Sequence, residues 1–318
     1  MSSSTTASRS LSRAGRRARG RSRGRSGSLP RHRGLIVGFL TLPIILYAVF
    51  VLSPYVQAIY ISLTDWTGFA RRLNFVGFEN YTRVAHDDLF WTGLKHNLVM
   101  LAVLPVLTIG LGLFFASMLN IDRAGRGVRG SSAYKIVYFF PQVLPVAVIG
   151  VLWQFVYTPR SGLLNGLLGT HHAWLGSPDT ALAAVLAVGV WSSVGFYVVL
   201  FSAAMGAIPQ EIYEAVALDG AGRWRTFFQV TLPLLRDTVR VGLIYVSIGA
   251  LDGFAIVQLM TVGPGGPDNA TEVVGLTLYR RAFADGQFGY ACAMGVVMLF
   301  MTLTLAVILQ SRRREVGR

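Results

Sequence analysis

Few side chains in this sequence are of types that do chemistry, and their spacing excludes most of what they could do. Lysine occurs only twice, in Leu94-Lys95-His96 and Tyr134-Lys135-Ile136. A loop that cradles nucleotide phosphates needs G-x-x-x-x-G-K-[ST], in which backbone amides and the lysine hold the phosphates. Neither lysine has that setting. The single cysteine, Cys292, can form neither an intrachain disulfide nor a cysteine-based zinc cluster. His171-His172 has only Asp179 in reach, a poor donor set, so no metal site is expected. There is no H-E-x-x-H and no G-x-S-x-G. No catalytic residue is assigned, and an enzyme embedded in the membrane finds no reactive cluster.

Two places could still handle a ligand or a partner. Asp252 is the one ionisable residue inside an otherwise apolar run, and Phe254 and Gln258 follow it. Ionisable groups at such depth are costly and usually line a cavity. A carboxylate, an amide and an aromatic face could bind a sugar through hydroxyl hydrogen bonds and stacking. On a regular helix Asp252 and Gln258 lie about 120° apart, so both cannot face one cavity squarely. The other reading is that Asp252 bonds to a polar group on a neighbouring helix.

The second place is the polar loop 209–240. Pro209 with Glu211 in the next turn starts a helix. Gly220 supplies its stop. A second short helix is expected over Arg223–Thr231, ending before Pro233. Glu214, Ala217, Leu218 and Ala221 share one face, which is small and apolar with one acid. Helices that lie on lipid carry Lys/Arg opposite bulky apolar residues. This segment instead has the character of a docking knob for a protein.

Both places need a frame, and composition says which. Of 318 residues, 53% are hydrophobic and 14% charged, against about 25% charged in soluble domains. A membrane-crossing helix needs roughly 20 mostly apolar residues. Six stretches qualify: Leu35–Val56, Leu98–Leu119, Ile136–Tyr157, Ala181–Ile208, Val241–Met260 and Tyr290–Leu309. The first is too long for a signal-peptide core, despite a small-x-small site at Val56-Gln57-Ala58. Short Lys/Arg-rich loops stay in the cytoplasm. With the N-terminus inside, most of the 29 Lys+Arg fall on the inner side, so both termini are expected to be cytoplasmic. The expected organisation is an arginine-rich disordered tail over 1–33, a six-span all-α domain over 34–312, and a basic end over 313–318. The tail is read as a topology anchor near lipid headgroups, not a nucleic-acid arm. The first outer loop, Gln57–Asn97, is expected to form short helices at the membrane surface.

The stretch Glu214-Ala215-Val216-Ala217-Leu218-Asp219-Gly220-Ala221-Gly222, then Phe227-Phe228-Gln229-Val230-Thr231-Leu232-Pro233, resembles the EAA motif of bacterial ABC importer permeases. Val216 and Val230 are mild departures from that pattern. Asn74–Tyr81, Phe140-Pro141 through Trp153, Gly162–Asn165 and Thr261–Pro267 with Ala270-Thr271 are similar to the carbohydrate-uptake branch, of maltose or glycerol-3-phosphate type. The last of these regions resembles that branch's last outer loop with one extra residue before Gly265-Gly266-Pro267. The resemblance runs from about Leu35 to Arg312.

It implies a type I-like permease fold in the cytoplasmic membrane, and a transport subunit rather than an enzyme. It also implies a second, different permease, two ATPase subunits and an extracytoplasmic sugar-binding protein, within membrane lipid and without nucleic acid. ATP and Mg would be used by the ATPase, with no cofactor in this chain. Glu214, Ala215, Ala217, Leu218, Asp219, Gly220, Ala221 and Pro233 would couple to the ATPase, and Asp252, Phe254 and Gln258 would lie on the substrate path. Lacking a Gly-Leu-Thr-like coda, the chain looks like the Gly-Gly-Pro-bearing member of the pair. An ion-coupled secondary transporter of a small polar solute is the alternative. It would have to place its proton or sodium chemistry on one acid, and it leaves the 209–233 loop unexplained.

Overall fold

The computed structural model describes residues 33–69, 73–120, 130–261, 263 and 265–311. The tails expected over 1–33 and 313–318, apart from the backbone of Arg33, lie outside these residues. So do Arg123, Arg126 and Arg129, which bear on orientation. The chain divides into two compact units, Met1–Pro54 and Tyr55–Arg318. The first contributes α1 (Arg33–Tyr47) and a π turn at Ala48–Leu52; α2 (Ser53–Ser62) follows, mostly in the second.

Among the described residues the second unit is built mainly of helices, positioned by one central member. They are α3 (Glu79–Ala85), α4 (Asp88–Asn120), α5 (Ser131–Val143), α6 (Val146–Val156), α7 (Leu163–Leu168) and α8 (Pro178–Gly206). After these come α9 (Gln210–Leu218), α10 (Arg223–Thr226), α11 (Leu232–Leu234), α12 (Arg236–Asp252), α13 (Phe254–Met260), α14 (Val274–Tyr279) and α15 (Phe288–Ser311). Val185, Val188, Val198 and Phe201 of α8 are fully buried, so α8 is the pillar of the bundle. Small residues let its neighbours approach, as membrane helices require where apolar burial gives little drive. A Cβ on Gly112 of α4 would sit 2.7 Å from Tyr197 Cβ, and one on Gly195 would meet the Tyr138 carbonyl of α5. Gly150 of α6 receives Leu259 of α13 in the same way.

Four helical runs are long and apolar enough to cross a membrane: Val37–Ser62, Asp88–Asn120, Pro178–Gly206 and Phe288–Gln310. The other two expected spans are broken. Ser131–Val143 and Val146–Val156 meet at 97°, and Arg236–Asp252 and Phe254–Met260 at 49°. Counting each bent pair once gives six spans. The first break sits at Leu144-Pro145, where both residues take extended ψ angles of 136° and 140°. The second sits at Gly253, whose φ of +52° ends α12. Hydropathy reads an apolar run as one straight segment, whereas a proline and a left-handed glycine redirect the backbone within it.

Several segments between the spans are ordered by polar hubs. Thr64 pairs with Phe75 in an isolated antiparallel bridge, and α3 is the one helix between α2 and α4. Among the described residues, Gln57–Asn97 thus holds the end of α2, the short α3 and the start of α4. Asp87 caps α4, accepting from the amides of Leu89 (2.9 Å) and Phe90 (3.3 Å). It also accepts from the Tyr290 hydroxyl at 2.7 Å and Arg281 at 3.2 Å. Burial alone would raise the Asp87 carboxyl. The bonds from Tyr290, Phe90 and Leu89 and the Arg281 charge outweigh it and hold the group below its usual value. Asn165 donates to the carbonyls of Thr158, Pro159 and His172, and accepts from Thr170 and Trp174. His172 Nε2 lies 3.0 Å from Thr180 Oγ1.

Between α13 and α14 the glycine-rich turn leads to a buried acid. Glu272 is fully enclosed. It accepts from Thr277 Oγ1 at 2.6 Å and faces Arg280 Nη2 at 2.5 Å. Asn97 of α4 donates to the Leu251 carbonyl at 2.7 Å, just before the Gly253 break, and accepts from the Val274 amide at 2.9 Å. It thereby supplies a partner to a carbonyl at the end of a broken helix.

Candidate functional site

The 209–240 loop is a stiff projection. α9 begins after Pro209 (φ −54°, ψ 135°) with Glu211 in its first turn, and none of its residues is buried. Its end is a complete Schellman motif. Ala221 donates to the Val216 carbonyl at 3.3 Å, Gly220 donates to Ala217 at 3.1 Å, and Gly220 has φ +72°. Asp219 stands at the cap and donates its amide to Ala215 at 3.1 Å. Gln210 Nε2 reaches Glu214 Oε1 at 2.9 Å. Glu214, Ala215, Ala217, Leu218, Asp219 and Gly220 are exposed and Ala221 half-buried. Leu218, at 89% exposure, is the outermost apolar side chain of the tip.

The helix after the corner does not stop before Pro233. It runs from Arg223 through a π turn at Phe227–Thr231 into Leu232–Leu234. A π turn takes up the extra residue and spares the helix a bond that the Pro233 nitrogen cannot donate. Phe227 and Thr231 are buried, and Trp224 stacks between Phe114 and Phe228 at 6.5 and 6.2 Å. The knob is thus rooted in α4 and in the helix leading to α12.

The other feature is a cavity of about 310 Å³ where the two broken spans meet α4 and α8. Its wall includes Gln142 and Leu144 at the first break, Gly249, Ala250 and Gly253 at the second, and Thr108, Ser192, Ser193, Tyr197 and Tyr245. Irregular backbone at membrane depth is tolerated where it lines such a space. Asp252, Phe254 and Gln258 do not form one surface with it. Asp252 and Gln258 are exposed on opposite sides of the Gly253 break. Phe254 packs on Tyr279, with ring centres 5.4 Å apart. A helical wheel drawn through Gly253 places these three incorrectly, because the helix turns there. The cavity's hydroxyls and amide carry no motif, so only the folded arrangement brings them together.

Residues 108–314 match the family described as binding-protein-dependent transport system inner membrane component. The chain is 44% identical over 309 residues to a diacetylchitobiose uptake system permease of Streptomyces coelicolor, covering 92% of this chain and 87% of the relative. It is 32% identical to a multiple sugar-binding transport system permease of Streptococcus mutans (86% and 92% covered). It is 30% identical to an sn-glycerol-3-phosphate transport system permease of Salmonella choleraesuis (83% and 89% covered). Its fold matches a chain in the crystal structure of a bacterial ABC transporter that imports the acidic polysaccharide alginate, with TM-score 0.77 at 20% identity, over 89% of this chain and 96% of that one. A second structure of an alginate transporter, in complex with an alginate pentasaccharide-bound periplasmic protein, matches equally well at 19% identity. With its bent spans and projecting 209–240 corner, the chain belongs to the family of inner-membrane permease components of binding-protein-dependent ABC transport systems, within its carbohydrate-uptake branch.

Proposed function

We propose that this chain forms half of the translocation path of an ATP-driven saccharide importer and takes its power stroke from a separate ATPase through the 209–233 loop. A second, different permease completes the path, and two ATPase subunits that use Mg and ATP sit on the cytoplasmic side, where both termini lie. A binding protein delivers the solute from outside, as the alginate transporter in complex with a pentasaccharide-bound periplasmic protein suggests. The observation that carries this reading is the α9 knob. Its tip is exposed and apolar, yet its end is locked by two Schellman bonds and its base is tied into α4. A floppy loop could not transmit displacement to the spans; this corner moves as one piece with the helix that enters α12. The names of the relatives and the cavity at the span breaks both favour a saccharide cargo.

The test is Glu214→Lys and, separately, Gly220→Pro, in the assembled complex. Proline cannot adopt the +72° φ of Gly220. Either change abolishes uptake and substrate-stimulated ATP hydrolysis while the permease pair stays in the membrane. Normal uptake with the ATPase retained at wild-type levels would refute the assignment.

A further inference from the structure

The cavity at the span breaks is lined by polar groups, one of which, buried, is left unpaired by the described residues. Thr108 is fully buried, and its hydroxyl has no hydrogen-bond partner among the described residues. That departs from the usual behaviour of a hydroxyl on a membrane helix, which bonds back to its own turn. Ser117, Thr302 and Thr304 do so here, at 2.8, 2.9 and 2.7 Å. Of the neighbouring serines, Ser192 bonds back to Gly189 at 3.1 Å, whereas Ser193 makes no such bond. Gln142, Tyr197 and Tyr245 also line the space, Gln142 and Tyr245 as exposed residues. Unpaired polar groups at this depth cost free energy unless water or a solute pairs with them.

These groups share a second property: none carries a charge, and no Asp, Glu, Lys, Arg or His lines the cavity. We infer that this permease selects an uncharged saccharide at the cavity and rejects carboxylated or phosphorylated ones. The inference rests on the reading of the chain as half of a saccharide path and deepens it. Hydroxyls and an amide match sugar hydroxyls one for one, donor to acceptor. The exposed Tyr245 ring offers a face to the C–H side of a pyranose. A uronate or phosphate would lose its hydration shell and meet no cation. Fold relatives serve an acidic polysaccharide and a related permease serves glycerol 3-phosphate, so the selection belongs to this chain's lining and not to the fold.

The assembled importer is purified in lipid nanodiscs without the binding protein, so that only the membrane path is probed. Two disaccharides of matched size are compared by calorimetry: uncharged diacetylchitobiose and the dicarboxylated disaccharide of alginate. The uncharged sugar binds at least tenfold more tightly, and its affinity is insensitive to salt. Ser193→Arg inverts the preference by at least tenfold, and Thr108→Val weakens the uncharged sugar several-fold; complex assembly is verified by size. Equal or tighter binding of the dicarboxylate to the unaltered complex would overturn the inference, as would failure of both sugars to bind. Its failure is separable from that of the transport reading. ATP-driven uptake lost with the knob variants but indifferent to solute charge would sink the selection alone.

Discussion

Replacing Glu272 by Gln tests whether the outer turn is held by charge or by shape. Gln keeps the volume and can still accept from Thr277, whose hydroxyl lies 2.6 Å from Oε1. What it removes is the negative partner of Arg280, whose Nη2 stands 2.5 Å from Oε2 but outside hydrogen-bond geometry. Breaking a buried pair from one side costs about 3–5 kcal/mol, because the remaining charge is stranded. Here the Arg280 side chain is 24% exposed while Glu272 is fully enclosed, so water recovers part of that loss and about 2–3 kcal/mol is expected. The double variant Glu272→Leu with Arg280→Met removes both charges. It should cost less than the single change, since the Arg280 Nε and Nη2 atoms already lack partners. The assay is the free energy of unfolding in mixed detergent micelles, read by tryptophan fluorescence. A loss below about 0.5 kcal/mol for Glu272→Gln, or a double variant weaker than the single, would refute the argument that the charge pair anchors this turn.

Two further outcomes follow from the same geometry. Asp87 has a folded-state pKa below its unfolded value of about 3.9, so the stability it contributes is fully present above that value and is lost as pH falls through the lower, folded pKa. Acid titration of unfolding should therefore show an extra loss below about pH 4 that Asp87→Asn abolishes; identical profiles would remove the capping role. Gly195→Ala forces a methyl group onto the Tyr138 carbonyl and must part α5 from α8; a cost of about 1–3 kcal/mol in the same unfolding assay is expected, and an unchanged value would show that the helices can slide.

The sequence makes the apolar spans legible because the bilayer demands one property over a fixed length, and length survives without tertiary information. The knob was equally legible: Pro209, Glu211 and Gly220 act locally, within one or two turns, and α9 forms where they place it. The bends were not. Pro145 and Gly253 are visible as residues, but whether a proline or glycine kinks a span or merely sits in it depends on what receives the freed backbone groups. Asn97 receives the Leu251 carbonyl across 154 positions of chain. Gln154 of α6 takes the Leu259 carbonyl at the end of α13, at 2.8 Å. For the same reason the polar set at the cavity escaped a search for motifs: Thr108, Gln142, Ser193, Tyr197 and Tyr245 lie on four different helices. Asp252 attracted attention as the one charge in a span, whereas the groups that converge are neutral.

Because α5 and α6 meet at 97°, they cannot both run along the bilayer normal. The third crossing therefore brings less insulating depth than its residue count suggests. Each elementary charge displaced across a membrane exchanges about 2.3 kcal/mol per 100 mV with the field. A solute without charge passes that field with no electrical work, so the cell's energised state neither speeds nor stalls it.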